Sequence, residues 1–383
     1  MNTTSIFQSI SYLNTILGDN FIIQRYFDLV STNEFAKLLK VDLEIAVKDK
    51  SKLSDQFFED HARYIQNYLP KALFEIGFMA WINLLKVACS VNKNAYLKVH
   101  KGTPFYHGAI FALKGRRFRE GLQMMDFAVE EDFRWDTEHK TKGALNKPAT
   151  LYLKVAHPER GNDFYGGEEL YNSLNFILGR VNNLTGANYT VRELKSVVQK
   201  KLILKRERAR RTAWATLLSE VLDVQNNIDF LVVTPAGGEG QLKAHLSLAS
   251  LTLVLETLIK KSPAAKKITP SNQKKAGNKA IYNNDKVTIN DLYTDIIQPK
   301  FNINILNAKL QKAESYSTYA ELPKALQNLQ TPKWDIEAFK VAQDIRNDIN
   351  HTFLNTRLTE SAYSAIYLLI LNAILAVLRG LYT

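Results

Sequence analysis

Apolar residues recur at three- and four-residue spacings along most of this 383-residue chain. This is the period of an α-helix that buries one face. The segments that show it most clearly are Ile6–Leu17, Phe21–Leu39, Asp55–Tyr68, Lys71–Val87 and Glu168–Val181, and Thr190–Val224 continues it through a heavily charged middle. Strand-like runs are limited to Thr150–Val155 and Phe230–Thr234, and each is short enough to be a buried connector. The sequence therefore predicts an all-α fold.

Composition excludes several classes of protein. Hydrophobic residues make up 46% of the chain and charged residues 23%, as in ordinary globular proteins, so wholesale disorder is excluded. The single cysteine, Cys89, excludes a disulfide framework and any multi-cysteine metal site, and the histidines lack metal-ligand spacing. We therefore expect no metal and no other cofactor. The net charge of +12 is compatible with nucleic acid, with a membrane surface or with a merely soluble cationic protein.

Two polar junctions organise the second half of the chain. The glycine-rich run Thr234–Gln241 predicts a hinge, since it lacks the Gly-Lys-Ser/Thr ending of a phosphate-binding loop. We place a domain boundary there, which gives an N-terminal domain over residues 1–235 and a C-terminal domain over residues 236–383. Lys260–Ala280 is basic and broken by prolines, and it predicts an exposed loop.

The chain ends in a long uncharged run, Ser361–Leu378. Its length is close to that of a membrane span. Polar Asn372 and the absence of a flanking basic cluster favour a helix that is buried in a core or a dimer interface over a membrane anchor. The N-terminus lacks the features of a secretory signal. We expect a cytoplasmic protein without a membrane partner.

Pro104–Asp132 predicts two helices joined by a turn at Gly115. The segment resembles one tetratricopeptide repeat, with small residues at Gly108, Gly121 and Ala128 and an aromatic residue at Phe111. An extra residue in the turn and Phe133 in place of the expected proline depart from that pattern. The N-terminal region is thus expected to be a degenerate helical-repeat scaffold, which either senses a partner or supports the C-terminal domain.

The chemistry-bearing motif lies in Ala342–Phe353, which contains Arg346-Asn347-x3-His351. It resembles the signature of HEPN domains, in which an arginine and a polar residue precede a histidine at this spacing. The context agrees, because a long apolar helix follows and an apolar segment with one embedded acid, Glu256, precedes it at Ala244–Lys261. The resemblance covers roughly residues 240–383 and implies a C-terminal HEPN helical bundle.

The HEPN resemblance implies a metal-independent RNA endonuclease in which the RNA 2′-hydroxyl attacks the neighbouring phosphate. His351 would be the general acid or base, Arg346 would stabilise the transition state, and Asn347 would position the phosphate or the histidine. On an ideal helix Arg346 and His351 lie 140° apart, so a distortion, a helix end near Thr352 or a second copy must complete the site. By resemblance, two copies form one composite cleft, as a homodimer.

The same resemblance implies a toxin or an antiviral-defence effector that is restrained by a protein partner, an antitoxin or a small nucleotide. Three alternatives remain open. The domain is a catalytically silent module that binds RNA, a nucleotide or a protein; it is a structural subunit of a larger assembly; or Arg346 only pairs with Asp344, Asp348 or Glu337 while His351 caps a helix.

Two basic segments are candidate RNA contacts. Lys200–Arg211 would spread its charge over most faces of a helix, and Lys260–Lys279 would add phosphate contacts beside the cleft. The alternative is that both are ordinary solvated segments. The candidate residues are Lys200, Lys201, Lys205, Arg206, Arg208, Arg210, Arg211, Lys274 and Lys275.

Overall fold

A computed structural model describes residues 74–91, 93–155, 167–204, 207–233, 239–265, 289–303, 338–346 and 358–383. Within these ranges the secondary structure is helical and no strand occurs, which confirms the all-α prediction. Most of each strand-like run is helical: Thr150–Leu153 lies in the helix Pro148–Leu153, which a turn follows, and Phe230–Val233 is the last turn of a long helix, whereas Thr234 lies outside the described residues. The helices predicted at residues 6–17, 21–39 and 55–68 lie outside the described residues.

The chain divides into two compact units. The described part of the first contains α1 (Phe74–Val91), α2 (Lys93–Lys98), α3 (Gly102–Lys114), α4 (Phe118–His139), a short 3₁₀ turn (Ala144–Asn146) and α5 (Pro148–Leu153). The second contains α6 (Gly167–Thr185), α7 (Val191–Val197), a π-helical turn (Val198–Leu202), α8 (Arg208–Val233) and α9 (Glu239–Lys260). It continues with α10 (Ile289–Leu292), a second π-helical turn (Tyr293–Ile297), α11 (Gln298–Phe301), the helical segment 338–346 and α12 (Glu360–Tyr382).

The division between the units differs from the boundary predicted near residue 235. The second unit includes residues 167–383, so α8 and α9, which flank residues 234–238, belong to the same unit and pack against each other. A glycine-rich run joins two antiparallel helices as readily as it joins two domains, and its composition does not distinguish the two cases.

In the first unit, α3 and α4 form the predicted helical hairpin. A Cβ atom at Gly121 would lie 2.7 Å from the Leu113 side chain, so the glycine permits a close approach of the two helices. The turn differs in detail from the expectation. Gly115 has an ordinary φ of −78°, whereas Arg116 adopts the left-handed conformation with φ of 59°.

In the second unit, α9 packs between α8 and α12, and α6 and α7 also contact α12. A buried polar network joins the three central helices. Ser247 donates to the Glu220 carboxylate at 2.6 Å and lies 3.0 Å from the Tyr363 hydroxyl, which also accepts a hydrogen bond from Asn227 at 3.1 Å. These contacts satisfy polar groups that would be costly to bury unpaired.

Two helices in this unit are long and apolar enough to cross a bilayer. In α12, 89% of the most apolar window is buried inside the protein, whereas in α9 the buried share is 61%. The uncharged C-terminal run is thus a core helix of the second unit.

Candidate active site around Arg346

The C-terminal end of α9 is held by two side chains from distant parts of the second unit. Arg210, at the start of α8, donates from Nε to the Lys261 carbonyl oxygen at 2.7 Å, and its Nη2 binds the same oxygen. The Tyr382 hydroxyl donates to the Leu258 carbonyl oxygen at 2.6 Å. Carbonyl groups at a helix C-terminus lack intrahelical partners, and these donors supply them. The last turn of α9 therefore has a fixed position.

The helical segment 338–346 is also held in place, by buried side chains and by two hydrogen bonds. Ala338, Phe339, Val341, Ala342 and Ile345 are fully buried. The Tyr293 hydroxyl donates to the Phe339 carbonyl oxygen at 3.1 Å, and the Gln343 amide donates to the Asn290 side chain. The helical segment is thus fixed along the α10–α11 region, and Arg346 stands at its last described position.

Arg346 meets the end of α9 through a shared carboxylate. Its Nε lies 3.5 Å from Oε2 of Glu256, and Nζ of Lys260 lies 2.6 Å from Oε1 of the same residue. The carboxylate is buried, with 9% of the side chain exposed, while 30% of the Arg346 side chain and 23% of the Lys260 side chain reach solvent. We call these three residues the Glu256 cluster.

Counted over its three described residues, the Glu256 cluster has two cations for one anion and therefore a surplus of one positive charge. Asp344, two residues before Arg346, pairs with Lys340 at 3.3 Å. Burial, together with the negative charges of Glu256 and Asp344, raises the pKa of Tyr293 far above its usual value, so this phenol stays neutral. The arrangement is suited to bind an anion such as a phosphate.

Two of the three predicted catalytic residues, Asn347 and His351, lie outside the described residues. Among the partners that the sequence suggested for Arg346, Asp344 forms an ion pair with Lys340, and Glu337 and Asp348 lie outside the described residues. The partner that the structure brings to Arg346 is Glu256.

The basic segment Lys200–Arg211 requires a correction. It is not one helix, because the π-helical turn ends at Leu202 and α8 begins at Arg208. Arg210 is 4% exposed and Arg211 is fully buried, so neither presents its guanidinium to RNA. Arg210 also stacks over Tyr382, with its Cζ 5.2 Å from the ring centroid. Both arginines are part of the internal structure of the second unit.

The other candidate RNA contacts differ in exposure. Lys200 and Arg208 are exposed, and Lys201 is half-buried. Lys205, Arg206, Lys274 and Lys275 lie outside the described residues.

The remaining described histidines are engaged in internal contacts. His100 lies 2.9 Å from the Asp132 carboxylate, and His245 lies 2.7 Å from the Gln241 carbonyl oxygen. His107 stacks on Trp81, and burial lowers its pKa to about 4. His139 stacks on Trp135 at 3.7 Å between ring centroids. None of these four lies with the Glu256 cluster.

Sequence reasoning noted Glu256 but did not give it a partner. The available signal was its isolation, as the one acid in an otherwise apolar stretch of α9. A buried carboxylate is rarely tolerated without a cation, so a search for its cation would have considered Lys260, four residues later, before the distant Arg346.

Comparison of the chain with protein-family models, with curated proteins and with solved structures finds no match.

Proposed function

We propose that this protein is a metal-independent RNA endonuclease of the HEPN type, with Arg346, Asn347 and His351 in its active site. The observation that carries the proposal is the Glu256 cluster, in which a buried carboxylate orients two partly exposed cations and leaves positive charge in excess. Phosphoryl transfer requires such a fixed cation, because negative charge builds up on the phosphate oxygens in the transition state.

The proposed reaction uses the nucleophile that RNA itself carries. His351 accepts the proton of a 2′-hydroxyl, whose oxygen forms a bond to the adjacent phosphorus while the bond from phosphorus to the 5′-oxygen breaks. The 5′-oxygen leaves with a proton from a general acid, and the products are a 2′,3′-cyclic phosphate and a 5′-hydroxyl. Histidine is suited to these proton transfers because its pKa is near neutrality.

Within this proposal, Arg346 stabilises the phosphorane and Glu256 positions Arg346. The Nε of Arg346 lies 3.5 Å from the Glu256 carboxylate and 30% of the arginine side chain reaches solvent, and a guanidinium can bind two phosphate oxygens at once. Lys260 adds a second charge beside it. Exposed Lys200 and Arg208 are secondary candidates for contacts with the RNA backbone.

The test is cleavage of single-stranded RNA by the purified full chain in EDTA. Arg346→Ala and His351→Ala should each lower the rate at least about 100-fold. Arg379→Ala is the matched control, since Arg379 is 36% exposed and pairs with Glu193 at 2.6 Å in the same unit, and it should leave the rate unchanged.

Three results would count against the proposal. Cleavage that persists in both variants would exclude the assigned residues, and cleavage of fully 2′-O-methylated RNA would exclude attack by the 2′-hydroxyl. RNA binding by the unmutated chain without any cleavage would favour the catalytically silent binding module.

A further inference from the structure

The π-helical turn Val198–Leu202 carries two lysines on its outer side. Both end residues of the turn are fully buried, and a hydrogen bond from the Ile203 amide to the Val198 carbonyl oxygen closes it at 3.0 Å. Because the two ends lie in the core, the middle of the turn faces outwards, where Lys200 is exposed and Lys201 is half-buried. Within the part of the chain that the structure describes, neither lysine forms an ion pair with an acid.

The buried side chain of Arg210 joins this turn to the end of α9. Its Nη1 donates to the Lys201 carbonyl oxygen at 3.2 Å, and its Nε donates to the Lys261 carbonyl oxygen at 2.7 Å. A guanidinium is planar and rigid, so the two carbonyl oxygens lie no more than about 8 Å apart. Arg210 is 4% exposed and is itself held by Glu207 at 3.4 Å. One buried arginine thus fixes two lysine-bearing segments next to each other.

This tie brings the turn beside the Glu256 cluster. Lys260 belongs to that cluster and directly precedes Lys261, whose carbonyl oxygen Arg210 binds. Arg346 belongs to it as well, through its contact with Glu256. We call the following three residues the lysine ridge: Lys200, Lys201 and Lys260.

The lysine ridge and Arg346 together hold more positive charge than the acids that contact them. Glu256 is the acid that Lys260 and Arg346 share. Counted over the ridge, Arg346 and Glu256, four cations therefore meet one anion. Several cations on one surface favour a polyanion over a single small anion, because each neutralised phosphate releases a counterion.

From these observations we infer that the lysine ridge binds the RNA backbone next to the cleavage site, and that Arg210 is the residue that positions the ridge. The choice of RNA as the polyanion rests on the proposed function, whereas the arrangement of the lysines does not. An ammonium group contacts phosphate as a point charge and carries no sequence information. Binding to the ridge should therefore be insensitive to base sequence.

The salt dependence of RNA binding tests the inference. The probe is a fluorescent single-stranded RNA that is fully 2′-O-methylated, so it lacks the nucleophile and reports binding by the full chain without cleavage. Lys200→Gln with Lys201→Gln should remove two phosphate contacts. The slope of log K against log salt should become shallower by about 1.4, and the affinity at about 0.1 M salt should fall about 20-fold.

The matched control is Lys140→Gln with Lys142→Gln. Both lysines are exposed in the first unit, so this variant changes the net charge of the chain by the same amount. It should leave the slope and the affinity unchanged.

Arg210→Met tests the positioning role. Because Arg210 is buried, its loss should weaken RNA binding only by releasing the π-helical turn from the end of α9. In this background the two lysine substitutions should cost much less than about 20-fold, since they act on a ridge that is already dispersed. A full additional loss would show that Arg210 does not position the lysines. Circular dichroism checks that the variant is helical, and the surface lysine variants test the ridge whether or not it folds.

An unchanged slope in the double lysine variant, or an equal loss in the control, would overturn the inference. Cleavage of unmodified RNA separates this result from the proposed function. A nuclease whose RNA binding ignores Lys200 and Lys201 would overturn the ridge alone, and an inactive chain that binds RNA through both lysines would overturn the nuclease alone. Binding to phosphatidylglycerol vesicles that is lost in the double lysine variant, while RNA binding is kept, would identify a lipid-headgroup surface instead.

Discussion

The two units each contain a cluster of linked charges, and the clusters differ in their balance. In the first unit, Glu131 binds Lys101 at 3.1 Å and Arg134 at 2.8 Å, and Arg134 also binds Glu138 at 2.8 Å. Two cations thus meet two anions. In the Glu256 cluster of the second unit, two cations meet one anion. A balanced cluster satisfies itself, whereas an unbalanced one retains attraction for a further anion.

The two clusters also differ in which of their charged side chains are buried. The Lys101 side chain is 4% exposed, and its ammonium also donates to the carbonyl oxygens of Val99 at 2.6 Å and Tyr96 at 2.9 Å. Burial lowers the pKa of Lys101, although Glu131 opposes that effect. In the Glu256 cluster the anion is the buried member and both cations reach solvent. We interpret the first cluster as a clamp that ties the start of α3 to α4, and under the proposed function the second binds the RNA phosphate.

Replacement of Glu131 by Gln should have the largest effect on stability. It leaves the buried Lys101 charge without its anion, which is expected to cost about 3 kcal/mol of the stability of the first unit. Hydrogen exchange of α3 and α4 amides measures this loss locally. RNA cleavage by the folded chain should not change. Full protection of α3 and α4 in the variant would show that the cluster is not a clamp.

Acid should weaken the first unit through His107. Burial lowers the pKa of this histidine from its ordinary 6.5 to about 4, so between these values the unfolded chain binds a proton that the folded chain excludes. Above pH 6.5 the histidine is neutral in both states and does not lower the free energy of unfolding. As pH falls towards 4, proton binding favours the unfolded chain, and the free energy of unfolding is about 2 kcal/mol lower at pH 5. Exchange of α3 amides at pH 7 and pH 5 should reveal the loss, and His107→Gln should remove it. An equal pH dependence in both chains would contradict the assignment.

The sequence predicted local features well because local residues determine them. The α3–α4 hairpin was predicted because Gly115 interrupts two runs with an apolar helical period, and the two helices end and begin on either side of it. Arg210 shows the opposite case. Its partner is a carbonyl oxygen 51 residues later in the chain, so a run of basic residues was read as an exposed helix when one of its members holds the end of α9. A run of charged residues predicts an exposed segment only where no buried hydrogen-bond acceptor binds one of its side chains.

The same reasoning explains what was predicted of the candidate site. Arg346 was identified from its spacing to His351, which is a local feature. Its pairing with Glu256 joins two elements that are distant in sequence, and Asp344 was the nearer candidate. Asp344 pairs with Lys340 one helical turn away, and Arg346 pairs with the acid on α9.

Replacement of Glu256 by Gln should lower RNA cleavage more than stability, whereas replacement of Glu131 should lower stability alone. Both cations are partly exposed, so water solvates them and the stability loss should stay below about 1 kcal/mol. Arg346 would lose the carboxylate that orients it, and RNA cleavage should fall about 10- to 100-fold. The fall should appear in kcat and not as a higher KM, because the surplus positive charge increases. A raised KM with unchanged kcat would mean that Glu256 does not position Arg346.

The smallest expected effect concerns the turn between α3 and α4, where the backbone itself sets the structure. Arg116 has φ of 59°, a conformation that costs a side-chain-bearing residue about 1–2 kcal/mol and glycine almost nothing. Arg116→Gly should therefore stabilise the hairpin by about 0.5–1 kcal/mol after the added entropy of the unfolded chain is subtracted. Gln123→Gly is the matched control, because Gln123 is exposed in the second turn of α4 and glycine there should destabilise the hairpin by about 1 kcal/mol. Hydrogen exchange of the hairpin amides should move in opposite directions in the two variants. Destabilisation by both would show that the Arg116 side chain contributes more to this turn than its backbone conformation costs.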